Sequence, residues 1–338
     1  MLENSTRANT FRIHAPNSDE IDIPRWVDDE SDPYLRLQNR NLIQSYYLQH
    51  GYVVVRNLIP SNFCDQAIQA FGQEVKPYNS YLYRQTSSGS AEKHRFTDNG
   101  YMLNSILNVQ DLNEHQFRHF KQSGLEVITH QKMYDAVCDV LGEAGIIVQS
   151  MYFEGNPATW AHQDTYYLDS TRTGSMAAAW IALEDIHPGA GRFYIYPGSH
   201  KIDMTKNGGS FDIAFNHGKY KELILNVIKK YGLECRAPAL RKGDVLFWSA
   251  KTIHGTLETL QPQFSRNSMT AHFIPASTGF LQFQARQRKL HLRRIGSFQV
   301  DCPKEQGRLA NRVVLYLETK FPQAFQLLKR FIIKLITR

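Results

Sequence analysis

"AAAWIALEDIHPGAGRFYIYPGSHK", residues 177–201, sets two short apolar runs on either side of a polar Pro-Gly turn. A run of this length bounded by turn residues has the signature of a buried strand. The pattern recurs on both sides, in "GIIVQSMYF" (145–153), "MAAAWIALEDI" (176–186), "GRFYIYP" (191–197), "GDVLFWS" (243–249) and "SMTAHFIPA" (268–276), with a helical interruption at 219–231. Short strands at this spacing favour an all-β sandwich or barrel over a parallel sheet with a helix after every strand. The predicted fold is mainly β with flanking helices that buttress a jelly roll.

Farther out, "GYVVVRNLI" (51–59) reads as one more strand. Asp32 and Pro33 have the form of an N-cap and first-turn proline, opening a helix through about Gln49. Pro60 and Ser61 introduce another with Cys64, Ala67, Ile68 and Phe71 on one face, and helical spacing returns from Gly124 to Leu141. Residues 76–104 are polar and tyrosine-rich, so Tyr78, Tyr81, Tyr83 and Tyr101 are candidates for a lid. A chain of 338 residues, 42% hydrophobic and 12% aromatic, buries enough core for one elaborated domain. We divide it into a polar N-terminal segment (1–32), a helical buttress with lid loop (33–145), a jelly-roll core (146–276) and a basic C-terminal helical extension (277–338).

Cys64, Cys138, Cys235 and Cys302 lack Cys-X-X-Cys spacing and offer neither a zinc knuckle nor a disulfide framework. No basic-then-apolar leader opens the sequence and no run reaches the roughly 18 apolar residues of a membrane span, so a soluble, cytoplasmic protein is expected. The net charge of +7 suits anionic small molecules or a membrane surface, and no nucleic-acid partner is expected.

Within this frame "TWAHQDTYY" (159–167) places His162 and Asp164 one residue apart. Alternate side chains of an extended segment share a face, so both can reach one ion while Gln163 points away. A metal site on a jelly roll needs a further ligand from a strand distant in sequence. "KTIHGTLE" (251–258) supplies His254, 90 residues beyond Asp164 and directly after a predicted strand. Two imidazoles and one carboxylate form the facial triad that suits non-haem iron(II) and leaves coordination positions open. Twelve residues after His254 comes Arg266, followed by Ser268. A guanidinium fork beside a hydroxyl matches a carboxylate such as the distal one of 2-oxoglutarate.

With these residues in place the chain resembles the phytanoyl-CoA dioxygenase-like iron(II) and 2-oxoglutarate-dependent oxygenases across residues 40–276, most specifically in "WIALEDIHPGAGRFYIYPGSHK" (180–201). The resemblance implies a double-stranded β-helix of the cupin-like kind, with iron on His162, Asp164 and His254 and the co-substrate on Arg266. It also implies that Thr256, Trp180 and Gln149 lie near the co-substrate. Tyr166 and Tyr167 are expected at the mouth and Tyr83 in the lid, all three as substrate contacts. The implied cofactors are Fe(II), 2-oxoglutarate and O2, the last two consumed, with succinate and carbon dioxide released as a small-molecule metabolite is hydroxylated. Halogenating relatives replace the carboxylate ligand, whereas Asp164 is present; desaturation and ring closure are related outcomes of the same chemistry. The alternatives are a non-catalytic jelly-roll sensor, or an oxygenase acting on a lipid-linked or glycan substrate at a membrane.

The membrane alternative rests on the C-terminus. Phe325, Leu328, Ile332 and Leu335 fall at helical spacing beside Lys329, Arg330 and Lys334, the pattern of an interfacial helix, and "RQRKLHLRR" (286–294) extends the basic surface as a helical face. A terminal helix packed on the core or on a second subunit is the competing reading.

Overall fold

The computed structural model describes residues 9–29, 35–85, 91–210, 212–284, 286–325 and 327. Its large sheet runs in the order Leu292–Ile295, Phe298–Asp301, Gly145–Phe153, Ser268–Pro275, Ala177–Ala182, Val245–Ser249 and Tyr52–Val55, with Ile106–Leu107 also paired to Gly145–Phe153. All these neighbours are antiparallel except Phe298–Asp301 beside Gly145–Phe153. Facing it, Phe193–Ile195 pairs with His254–Thr256, and Phe280–Gln282 pairs with both Leu168–Ser170 and Arg286–Arg288. The two layers form a double-stranded β-helix.

Period-two alternation decides which side of the large sheet each residue serves. Ala177, Ala179, Ile181, Phe247, Met269, Ala271 and Phe273 face a buried layer of helices. These helices are α1 (Arg40–His50), α2 (Ser61–Ala70), α3 (Arg118–Ile128) and α4 (Gln131–Leu141). Ala178, Trp180, Ala182, Leu246 and Trp248 face the other way, into the space between the sheets. A fifth helix, α5 (His217–Tyr231), buries Tyr220, Leu223, Ile224, Val227 and Ile228 beside the smaller sheet, and α6 (Leu309–Lys320) follows the last strand. No helix among the described residues is long and apolar enough to cross a membrane.

The strand expectations hold with trimmed ends, while others are corrected. The helical run 124–141 is two helices, because Thr129 caps the first and turns its hydroxyl back to the Leu125 carbonyl at 2.7 Å, while His130 caps the second. The polar N-terminal segment contains an antiparallel hairpin, Thr10–His14 with Glu20–Pro24, that buries Ile13 and Ile23. Buried Arg192 ties it down by donating to the carbonyls of Pro24 and Arg25. "RQRKLHLRR" is not helical: Arg286–Arg288 and Leu292–Ile295 are strands, since pairing to neighbouring strands outweighs local propensity. The expected caps Asp32 and Pro33 lie outside the described residues, as do Leu328, Lys329, Arg330, Ile332, Lys334 and Leu335; the helix expected to open there begins only at Arg40, after a 3-10 turn, because Leu35 is drawn into a bridge with Val55.

Candidate metal and co-substrate site

Backbone pairing brings the two histidines together. The amides and carbonyls of His162 and His254 bond to each other at 3.0 Å in both directions, which sets the ring centroids 4.4 Å apart. Gln163 is extended and Asp164 opens a short 3-10 turn, so the His-X-Asp segment delivers both side chains to one side. The Gln163 side-chain Nε2 turns away and donates to the Lys251 carbonyl. Ligand atoms of His162, Asp164 and His254 all lie within 4.8 Å of one another.

The strand carrying His254 is held by the Pro-Gly-Ser-His turn. Gly198 takes the left-handed conformation, and the Ser199 hydroxyl, wholly buried, donates to the Tyr196 carbonyl at 2.6 Å and accepts the Ile253 amide at 2.8 Å. His200 reaches the Leu48 carbonyl at 3.1 Å, and the Thr252 hydroxyl bonds the Gly51 carbonyl at 2.6 Å. At Gly51 (φ 79°) a Cβ would lie 2.3 Å from His200 Nδ1 and 2.6 Å from Thr252 Oγ1, so only glycine joins α1 to this turn without strain.

Tautomers follow from these contacts. His162 Nδ1 bonds the Trp160 carbonyl at 2.8 Å and His254 Nδ1 the Thr252 carbonyl at 2.9 Å. A carbonyl only accepts, so each Nδ1 carries the proton and each Nε2 lone pair is free for a metal. Both Nε2 atoms stand 3.5 Å from Asp164 Oδ1. The other carboxylate oxygen, Oδ2, accepts from Trp248 Nε1 at 2.9 Å and faces His272 Nε2 at 3.6 Å. Burial works against the charge on Asp164, but His254, His162 and His272, with a proton on the nitrogen that faces it, outweigh burial and hold the carboxyl well below the usual range; a metal cation takes the place of those protons. Burial lowers His254 to about 4, which keeps its imidazole neutral and able to ligate. Donor set, tautomers and charge therefore fit a divalent ion such as iron(II).

The same cavity carries a second demand. Arg266 is 1% exposed, sandwiched between the rings of Phe153 (5.6 Å) and Trp180 (5.9 Å). Its NH1 donates to the Gly191 carbonyl at 3.0 Å, but Nε has no hydrogen-bond partner and no ion pair forms among the described residues. Burial lowers it to about 9. A buried cation with an idle donor fits a carboxylate that arrives with a ligand. Thr256 lines the cavity, and its oxygen accepts the Thr159 amide at 2.7 Å, leaving the hydroxyl proton free to donate.

Other expected residues are placed less centrally. Ser268 is buried at the start of its strand and bonds the Arg266 carbonyl at 3.2 Å, outside the cavity wall. Gln149 pairs with His272 at a bulge and does not line the cavity. Tyr166 packs on Tyr220 at 5.0 Å, and Tyr83 bonds Glu318, neither of them lining it. Tyr167 comes nearest the triad, with its ring 6.1 Å from that of His162. Of the expected lid residues, Tyr78 packs on Phe117, Tyr101 bonds the Gln263 carbonyl, and none lines the cavity; from the same segment Gln85, which was not expected, does. Sequence reasoning missed Trp248, His272 and Gln85. A signal for His272 existed: Ser268, Thr270 and His272 put three polar groups on one face of an otherwise apolar strand.

A two-histidine, one-carboxylate site inside a double-stranded β-helix defines a non-haem metal oxygenase. The chain belongs to the phytanoyl-CoA dioxygenase (PhyH) family, whose model matches residues 47–268, and is accordingly a 2-oxoglutarate-dependent dioxygenase. Peroxisomal phytanoyl-CoA dioxygenase of Bos taurus is 21% identical over 254 residues, covering 71% of this chain and 70% of that protein. Phytanoyl-CoA dioxygenase domain-containing protein 1 of Danio rerio is 26% identical over 196 residues, 54% of this chain and 63% of that one. Among solved structures, the α-ketoglutarate-dependent carbocyclase SnoK from nogalamycin biosynthesis superimposes with TM-score 0.52 at 14% identity, covering 74% and 89% of the two chains. EctD from S. alaskensis gives TM-score 0.51 at 16% identity, covering 82% and 87%. At these identities the structures speak for the fold alone.

Proposed function

We propose that this dioxygenase hydroxylates an unactivated C–H bond of a small-molecule metabolite, releasing succinate and carbon dioxide. The observation that carries the reading is that one cavity holds both a His-Asp-His donor set and a buried arginine that forms no ion pair among the described residues. His162, Asp164 and His254 would hold the iron, and Arg266 with the Thr256 hydroxyl would bind the distal carboxylate of 2-oxoglutarate. When bound, iron(II) supplies oxygen activation and 2-oxoglutarate the two reducing electrons. The chain's own residues position and shield. Trp248 and His272 orient the carboxylate through Oδ2, while Phe153, Trp180, Phe193 and Trp248 give the cavity apolar walls that limit water. Asp164 fills the ligand position that a halogenating enzyme would leave to chloride. EctD was solved with 2-oxoglutarate and 5-hydroxyectoine, and again with bound Fe, a precedent for these ligands on this fold.

Outside the cavity, beside His162, runs an aromatic row: Tyr167 meets Phe283 at 6.2 Å, and Phe283 stacks on Phe215 at 4.9 Å, with Phe215 65% exposed. This favours a substrate with apolar or aromatic surface. Compounds of that kind are screened with iron(II), 2-oxoglutarate and labelled dioxygen. A product heavier by one labelled oxygen atom, formed in step with succinate, is the expected result. Succinate formed in step with a desaturated or cyclised product lacking that atom contradicts hydroxylation.

A further inference from the structure

Helix α6 is amphipathic in the inverted sense. Asn311, Leu315, Glu318 and Thr319 lie on its half-shielded side, where Asn311 donates to the Glu305 carbonyl at 2.9 Å and Glu318 accepts the Tyr83 hydroxyl at 3.2 Å. The opposite side carries Leu309, Val313, Tyr316, Leu317 and, just beyond the helix, Phe321, exposed by 69, 48, 56, 38 and 56%. None of the helix's described residues is buried. A globular helix normally turns its polar stripe to water; this one turns its apolar stripe.

Charge indicates what meets that stripe. Residues 286–338 contain 13 Lys and Arg against 3 Asp and Glu, whereas the preceding 285 contain 26 against 29, so the whole positive balance resides in the C-terminal sixth of the chain. Two of the three acids, Asp301 and Glu305, are buried, and Glu305 is taken up by Arg293 and Arg308. That same Glu305 joins the basic Leu292–Ile295 strand to the N-terminus of α6, while exposed Arg312 borders the apolar stripe and exposed Lys320 ends it at the last turn. A second copy would bring an equally basic face and be repelled; a surface that is apolar beneath and anionic above is matched.

We propose that the exposed face of α6, with its basic surround, docks on an anionic lipid bilayer. The Leu82–Tyr83 strand connects this surface to the cavity: Tyr83 holds Glu318 of α6, and Gln85, two residues on, lines the metal and co-substrate site. Docking therefore leaves α6 between the membrane and the segment that leads to Gln85. The proposal stands on surface chemistry alone and does not need the oxygenase reading.

The full chain is sedimented with phosphatidylcholine vesicles, and with vesicles containing about 30% phosphatidylserine. Pelleting with the anionic vesicles only, weakened by salt, is expected. Val313→Asp with Leu317→Asp should lower the pelleted fraction about tenfold, and Arg312→Glu with Lys320→Glu should lower it severalfold. These positions are exposed, so unfolding midpoint and succinate formation should be unchanged. The proposal is overturned if the wild-type chain ignores anionic vesicles, or if the aspartate variant pellets as well as wild type. It is equally overturned if binding is lost only on removing residues 322–338. A wild-type dimer that the aspartates dissociate, without vesicle binding, would assign the face to a second copy instead.

Discussion

Asp164 divides its two oxygens between two tasks. Oδ1 faces the histidine Nε2 atoms and Oδ2 is held by the Trp248 indole N–H and faced by His272. Trp248→Phe keeps the ring and removes the donor, so iron affinity should fall about tenfold, the low end for loss of a ligand's supporting partner. Stability should fall by about 1 kcal/mol. Iron titration and urea denaturation check both; unchanged affinity would show that Oδ2 needs no support. Arg266→Lys keeps the charge and loses the planar fork, so the Michaelis constant for 2-oxoglutarate should rise at least about tenfold while that for the prime substrate moves little. An unaltered constant would identify the wrong arginine. His162, Asp164 and His254 are legible in the sequence because spacing and a predicted strand edge announce them. Trp248 and His272 are not, because what assigns them is contact across strands whose register no local pattern reveals.

At the scale of elements, Gly51 ends α1 and accepts bonds from the Ser249 amide (2.9 Å) and the Thr252 hydroxyl (2.6 Å) just before His254. Gly51→Ala adds a Cβ in the left-handed region against His200 and Thr252, and should cost at least about 2 kcal/mol in denaturant unfolding. The turn Val109–Asp111 gives a pH test. Burial raises the Asp111 carboxyl to about 7, against the lowering influence of Asn108. The folded state thus holds a proton that the unfolded chain releases near pH 3.9, roughly. The stability this proton contributes is full below about pH 4 and is lost as pH rises through about 7. The unfolding free energy should fall across that window by at most about 1.4 kcal/mol per pH unit. Asp111→Asn should flatten the slope; an equal slope in the variant would place its origin elsewhere. Most strands are legible, since buried apolar runs between turns leave little else. The break at Thr129 and the strands within 286–294 are not, because a single hydroxyl decides the first and long-range pairing the second.

Across the whole molecule, sequence alone announces the double-stranded β-helix and its metal site, whereas the inverted face of α6 shows only once its packed side is known. The expected helical spacing from Phe325 onward concerned residues that lie mostly outside those described. The fold sets a metal triad and a buried arginine at one cavity, and the decisive measurement addresses both. Anaerobic titration with iron(II) and 2-oxoglutarate, followed by admission of dioxygen, should show one iron bound per chain and succinate formed from 2-oxoglutarate. His254→Ala, folded by its unfolding midpoint, should bind iron far more weakly and form none. A wild-type chain that binds no iron, or a His254→Ala variant that yields succinate at the wild-type rate, would contradict the assignment of this site.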